Sequence, residues 1–338
     1  MKDIYILAIE TSCDETSISI VKNGTEDISS IVLSQMDIHA TFGGVVPEIA
    51  SRHHIENITM VLDQVFKDTN LTLKDMSAIG IAYGPGLIGS LLIGLQTAKT
   101  LSYLFNIPLI PVHHLAGHIY GNNLDHELEF PLIALVVSGG HTELIYMEEH
   151  YQFKKLGGTL DDAVGEAYDK VARVMNLPYP GGPEIDKLAK TGHHNYELPT
   201  PLDDKTYNFS FSGIKSAVLN LINKERMLGN GINKADLATS FQETVVNILV
   251  KKTIKAAADL NVNNIILAGG VAANRGLRET LTEVCKENNL NLMIPPFKYC
   301  TDNATMIGAA AYYAFKLNIQ ADLEINSISQ LRVDKSFE

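Results

Sequence analysis

Cysteine is scarce. The 338 residues hold three, Cys13, Cys285 and Cys300, far apart and without a CxxC pair, which excludes a disulfide framework and a thiolate zinc site. Long apolar runs are missing too. None reaches the roughly 18–20 residues a spanning helix needs. The opening Met1-Lys2-Asp3-Ile4-Tyr5-Ile6-Leu7 has too short an apolar stretch for a secretion signal, so no membrane and a cytoplasmic setting are expected. Positive charge is in deficit: 27 Lys and Arg face 39 Asp and Glu, a formal net charge of −12. Nucleic-acid binders usually present a basic surface, because phosphate neutralisation supplies much of their affinity. Composition therefore argues against an autonomous RNA binder. What is present is a globular profile, 46% hydrophobic and 20% charged, in a chain long enough for two cored domains.

A supersecondary pattern occurs twice. Ile4 to Glu10 is an apolar strand, followed by Thr11-Ser12-Cys13-Asp14-Glu15-Thr16, the alternating strand Ser17 to Val21, and a turn at Asn23-Gly24, which reads as a hairpin. Pro131 to Val137, Ser138-Gly139-Gly140-His141-Thr142 and Glu143 to Met147 repeat the plan, and sliding by 126 residues lays Ala8 on Ala134, Ser12 on Ser138 and Thr16 on Thr142. Later in each half a strand runs through a glycine turn into a helix and another strand: Ala78–Ala82, Tyr83-Gly84-Pro85-Gly86 and Pro108–Val112 in the first, Asn264–Ala268, Gly269-Gly270-Val271 and Leu292–Pro295 in the second. The shared order predicts two related α/β lobes. Their expected bounds are 1–130 and 131–320, with a largely helical insertion over about 151–245 and a tail over 321–338 that is polar and frayed from Asp334. Asn303 to Leu317 has the small apolar face of a buried helix.

Ser138-Gly139-Gly140-His141-Thr142 suits phosphate binding, because Gly and Ser let successive backbone N–H groups close around an anion. Asp14-Glu15-Thr16, at the matching tip of the first lobe, suits a metal or a reacting group. Leu267 to Asn274 is a strand ending in two glycines ahead of a helix, a place where ligands dock in open α/β sheets. The sharpest constellation is His113-His114-Leu115-Ala116-Gly117-His118. His114 and His118 are four residues apart, on one helix face, as two ligands of one metal must be. Asp302, placed after the matching strand of the second lobe, supplies a third ligand from across an inter-lobe cleft, and two histidines with a carboxylate suit Fe(II) or Zn(II). The HExxH zinc-protease reading fails, since Leu115 stands where that motif needs a glutamate base.

With these motifs in place the chain closely resembles the tRNA threonylcarbamoyladenosine transferases, formerly labelled O-sialoglycoprotein endopeptidases. The resemblance runs from Ile9 to about Phe315 and is carried by Glu10–Thr16, Gly43–His54, Gly84–Leu87, His114–His118, Val137–Thr142, Phe209–Lys215 and Gly269–Asn274. Ala116 departs from it, many members having glutamate there. The resemblance implies an α/β actin-like ATPase fold of the sugar-kinase, Hsp70 and ribonuclease-H-like class, two related lobes with a ligand cleft between them. It implies that His114, His118 and Asp302 hold iron or zinc. By position, Val136, Val137, Ser138, Gly139, Gly140, Asp169, Gly182, Asp186 and Asn274 hold threonylcarbamoyl-AMP, at a site that ATP or ADP also fits. The implied reaction moves the threonylcarbamoyl group to N6 of the adenosine 3′ of the anticodon, position 37, in tRNAs reading codons that begin with A, and releases AMP. Asp14 and Glu15 are the candidate general bases. The implied partners are tRNA, a paralogous actin-like subunit and a P-loop ATPase. The segment from His39 to His54, with Arg52, His53 and His54, is the candidate RNA-facing element on an acidic body. The rival readings are a small-molecule kinase of the same fold, which would not need the two histidines, and a non-catalytic nucleotide-binding subunit.

Overall fold

The structure, a computed structural model, describes residues 2–336. The chain opens with three antiparallel strands, β1 (Tyr5–Glu10), β2 (Glu15–Lys22) and β3 (Glu26–Ser34). Short α1 (Met36–Ala40) and long α2 (Pro47–Lys67) follow. Then come β4 (Ala78–Gly84), α3 (Ile88–Phe105), β5 (Leu109–His113) and the seven-residue α4 (His114–Tyr120). The strand order is β3-β2-β1-β4-β5, with β1, β4 and β5 mutually parallel. On one face, Leu7, Ile9, Ile18, Ile20, Ile79 and Ile81 meet Ile58, Val61 and Val65 of α2 and Leu95 and Ala98 of α3 in one buried cluster.

The second half repeats this plan. Strands β6 (Leu132–Val137), β7 (Thr142–Met147) and β8 (Phe153–Gly158) are followed by helices α5 (Val164–Val174), α6 (Gly181–Ala189), α7 (Ser212–Met227) and α8 (Lys234–Leu260). Strand β9 (Asn264–Ala268), α9 (Arg275–Glu287) and β10 (Asn291–Met293) complete it. The order β10-β9-β6-β7-β8 is the first sheet's order in mirror listing, and β9 runs parallel to β6 as β4 does to β1. The 126-residue slide holds down to register: Ala8 pairs with Ser19, and Ala134 with Ile145. Asparagine ends two of the long helices, with Asn106 and Asn261 in the left-handed region at φ of 51° and 53°, which its short polar side chain tolerates.

The last long helix, α10 (Ala304–Lys316), returns to the first sheet. It covers the face that α2 and α3 leave bare, and small residues let it come close. A Cβ on Gly80 of β4 would lie 2.6 Å from Ala311, and one on Gly308 would lie 2.5 Å from Val21. The chain thus forms two compact units. One contains residues up to Glu129, Glu149–Phe153 and those from Pro295 onward; the other contains Phe130–Glu148 and Lys154–Ile294. This differs from the boundaries read in the sequence, which kept 295–320 with the second lobe. The physical reason is the two-sided burial of β1 and β4, which demands a second apolar layer. The segment 151–245 is largely helical, but it includes the edge strand β8, and α8 runs on to Leu260. Nor is the tail frayed as far as Ser336. Ile328 donates its N–H to Tyr83 O, His113 bonds Leu331 O, Tyr83 Oη donates to Ser336 O, and Val333 is buried. Phe337 and Glu338 lie outside the described residues.

In the second unit Asp161 closes the Phe209–Lys215 motif. Its carboxylate accepts from the hydroxyls of Ser210 and Ser212 and from the N–H groups of Phe211 and Ser212, at 2.5–3.2 Å. Burial works against the charged form, but these donors outweigh it and hold the carboxyl below its ordinary value. Asp161→Ala is expected to cost about 1–2 kcal/mol, as loss of a helix-start cap does. The contribution is present above the ordinary aspartate pKa of about 3.9 and fades as the pH falls below it. Urea unfolding of both proteins at pH 7 and pH 3 checks this, the gap between them narrowing in acid.

Candidate metal centre and nucleotide-binding residues

His113 sets the metal-ligand candidates in place. Its Nδ1 accepts from Leu115 N at 3.1 Å, capping α4, while its other ring nitrogen bonds Leu331 O at 3.0 Å. His114 therefore starts the helix, and His118 follows one turn later on the same face; both are buried. Helix α4 lies flush on α10, with Gly117 under Ile307. The turn into α10 is held by Ala304 N donating to Ser17 Oγ at 2.8 Å and by the Asn303 cap on Met306 N. That turn carries Asp302 to the histidines. Its Oδ1 is 3.5 Å from His114 Nε2 and 3.2 Å from His118 Nε2, and the three ligand atoms lie within 4.8 Å of one another. All three residues thus belong to the first unit, where the sequence reading had drawn Asp302 from the second.

The donor set fits a divalent ion. Ligand bonds of about 2.1 Å put neighbouring ligand atoms about 3.0–3.4 Å apart in octahedral or tetrahedral geometry, close to the two carboxylate–imidazole distances. Nδ1 of buried His118 has no hydrogen-bond partner among the described residues, while its Nε2 faces the Asp302 carboxylate at 3.2 Å, where a metal ion would bridge the two. The local charge points the same way. Burial alone would pull His114 down, yet the carboxylates of Asp302 and Glu10 raise it to about 9. Burial and the His114 charge hold His118 below its ordinary value. Burial, with Asp302 and Asp14 nearby, pushes Glu15 well up, and burial with Asp14, Asp302 and Glu15 does the same to Cys13. The hairpin tip and Asp302 therefore share one negative neighbourhood, which a cation would neutralise. Glu15 is held there by Ser34, whose hydroxyl donates to Oε1 at 3.2 Å.

The nucleotide candidates lie in the second unit. Ser138 N donates to His141 O at 2.8 Å, and Ser138 Oγ accepts from His141 N at 3.1 Å, closing the turn after β6. Gly139 and Gly140 project into open space, as do Gly182 and Gly270. Gly165 tucks under Ser138 O, bringing the start of α5 to the turn. Gly269, at φ of 92°, backs directly onto Val137 O, so the ends of β6 and β9, with Val136 and Val137 paired into the sheet, are locked side by side. Asp169 Oδ1 accepts from Gly181 N at 2.7 Å. Burial raises this carboxyl, against the N–H groups of Gly181 and Gly182. Asp186 Oδ1 accepts from Gln242 Nε2 at 3.1 Å, and Gln242 Oε1 accepts from Asn274 Nδ2 at 2.8 Å, so one buried amide joins two of the candidates.

Residues 26–309 match the family model of TsaD, tRNA N6-adenosine threonylcarbamoyltransferase. A protein of that name from Bacillus subtilis (strain 168) is 56% identical over 327 residues, covering 96% of this chain and 94% of the relative. Another, from Staphylococcus saprophyticus, is 55% identical over 331 residues, covering 98% and 97%. The chain belongs to the tRNA N6-adenosine threonylcarbamoyltransferase family. Among solved structures, HypF of T. kodakarensis superposes with a TM-score of 0.64 at 14% identity, over 93% of this chain and 48% of that one. Component A of the Acidaminococcus fermentans (R)-2-hydroxyglutaryl-CoA dehydratase does so with a TM-score of 0.54 at 16% identity, over 92% and 98%. At such identities the likeness speaks for the fold alone, the α/β actin-like ATPase fold expected from the sequence.

In the segment from His39 to His54 one expectation is corrected. His39 and His54 do not face RNA: both are fully buried. His39 bonds Gln35 Oε1 and accepts from Val46 N. His54 Nδ1 accepts from Thr16 Oγ1 at 2.7 Å and its Nε2–H donates to Cys13 O at 3.0 Å, so it braces the Asp14-Glu15 tip from behind. Arg52 is exposed but paired with Glu48. No helix among the described residues is long and apolar enough to cross a membrane.

Proposed function

We propose that this chain transfers the threonylcarbamoyl group of threonylcarbamoyl-AMP to N6 of adenosine 37 in tRNA, releasing AMP. The observation that carries this reading is the convergence of His114, His118 and Asp302 in a chain of this family. The first unit supplies those metal ligands; the second supplies the turn at Val136–Gly140 with Asp169, Gly182, Asp186 and Asn274 for the adenylate. A bound Fe(II) or Zn(II) would act as Lewis acid and template for the reacting group. Open backbone at Gly139, Gly140 and Gly182 lets N–H groups approach the phosphate and sugar. N6 attacks the carbamoyl carbonyl, the bond to the AMP phosphate oxygen breaks, and N6 gives up a proton. Asp14 or Glu15 takes that proton, both carried on the tip that His54 braces. Aligning two large substrates supplies a further large share of the rate. The acidic body leaves tRNA binding to local contacts and to the implied actin-like and P-loop ATPase subunits.

Nucleoside mass spectrometry of tRNA from cells depleted of this protein tests the reading. Threonylcarbamoyladenosine is expected to disappear, and to return with wild type but not with the His114→Ala/His118→Ala variant. An unchanged level, with no second copy of the enzyme present, would sink it and favour a small-molecule kinase.

A further inference from the structure

A second buried acid stands behind the metal-ligand candidates. Glu10 ends β1, an otherwise apolar strand, and is fully buried. Its Oε2 lies 3.0 Å from His114 Nδ1, while Oε1 accepts the backbone N–H of Ser12 at 2.5 Å. Ser12 Oγ lies 3.1 Å from the same imidazole nitrogen. Oε1 is already engaged by Ser12 N–H, and a proton on His114 Nδ1 gives Oε2 a donor in its turn. With Nδ1 holding its proton for Glu10, Nε2, the atom turned toward Asp302, is the nitrogen that can bind an ion. Ser12 then accepts a share of the same N–H, since a hydroxyl can accept as well as donate. His118 has no such anchor, its Nδ1 being without a partner among the described residues and its ring packed edge-on against His114.

We propose that Glu10 is the positioning residue of the metal centre: through His114 Nδ1–H it fixes the tautomer and ring angle that present Nε2 to the ion, and so sets metal affinity. The proposal rests on His114, His118 and Asp302 being a metal site. Carboxylate partners of ligating histidines typically account for about 10–100-fold in metal affinity. Ser12 N–H occupies the other oxygen of Glu10, so the carboxylate cannot swing away without leaving a buried donor unpaired. Glu10→Gln keeps the shape but not the acceptor pair, because its NH2 group must face either Ser12 N–H or His114 Nδ1–H.

The test is a Zn²⁺ titration of metal-free protein against a competing chelator, with the metal-free melting temperature measured alongside. The expected result is one Zn²⁺ per wild-type chain, none in Asp302→Asn, and a 10–100-fold weaker Kd in Glu10→Gln. A Glu10→Gln variant that melts earlier but binds Zn²⁺ as tightly as wild type gives Glu10 a packing role only and overturns the proposal. Wild type that takes up no Zn²⁺, or takes it up equally well after Asp302→Asn, overturns the metal site itself. Should Glu10→Gln not fold, Glu10→Asp, which withdraws the oxygen by one methylene, is titrated in its place and read by the same outcomes.

Discussion

Replacing His114 and His118 together by alanine is expected to empty the proposed metal centre and to lower threonylcarbamoyl transfer by about 10³-fold or more. The reason is geometric. Asp302 alone would remain of three ligand atoms that now lie within 4.8 Å of one another, and a single carboxylate does not hold a divalent ion at working concentration. A Lewis acid is worth several kcal/mol of transition-state stabilisation, and about 1.4 kcal/mol is tenfold in rate. Asp302→Asn is expected to empty the proposed centre and stop transfer as well, because it removes the anionic ligand of the three. Metal content by elemental analysis and transfer of labelled threonylcarbamoyl to tRNA are measured on the same preparations. Full transfer by a metal-free double variant would remove the metal from the chemistry.

The second large effect is expected at Gly269. Its φ of 92° is one that side chains rarely adopt, and an added Cβ would sit 2.3 Å from Val137 O. Gly269→Ala must therefore strain the turn or push β9 away from β6. The expected cost is about 2–4 kcal/mol, with adenylate affinity reduced by about tenfold or more as the turn after Val137 shifts. Gly139→Ala and Gly182→Ala make the contrast. Neither residue has a positive φ, and both face open space, so stability should hold while a ligand approaching the backbone loses room. Melting curves and calorimetric titration with AMP separate the cases. Equal stability of Gly269→Ala and wild type would show that the strands part without strain.

The repeat was legible because strands write a period of two and turns write Gly, Asn and Ser, which is local information. The His114–His118 pair was legible because four residues make one helical turn. Asp302 could be named but not located: whether α10 closes the first sheet or the second depends on which sheet has a bare face. Glu10 left a signal, a lone acid in the strand Tyr5–Glu10, but its partner is 104 residues away. His54 left one as well. It shares the stripe Ala50, His54, Ile58, Val61, Val65 that faces inward, and helical spacing would have placed it inside rather than on an RNA surface. Gln242 lies among the buried positions of α8, and nothing local marks it as the link between Asp186 and Asn274.

The return of residues from Pro295 onward to the first unit has a consequence for how the protein is made. A ribosome delivers the chain in order, and domains commonly fold as they emerge, first-made first. Here the first-made sheet stays half uncovered until α10 has been translated, whereas the last strand of the second sheet, β10, ends at Met293. The half begun first is thus the half finished last. Until Asp302 leaves the exit tunnel the nascent protein has only two of the three proposed metal ligands, so loading of the proposed centre must wait for the turn into α10.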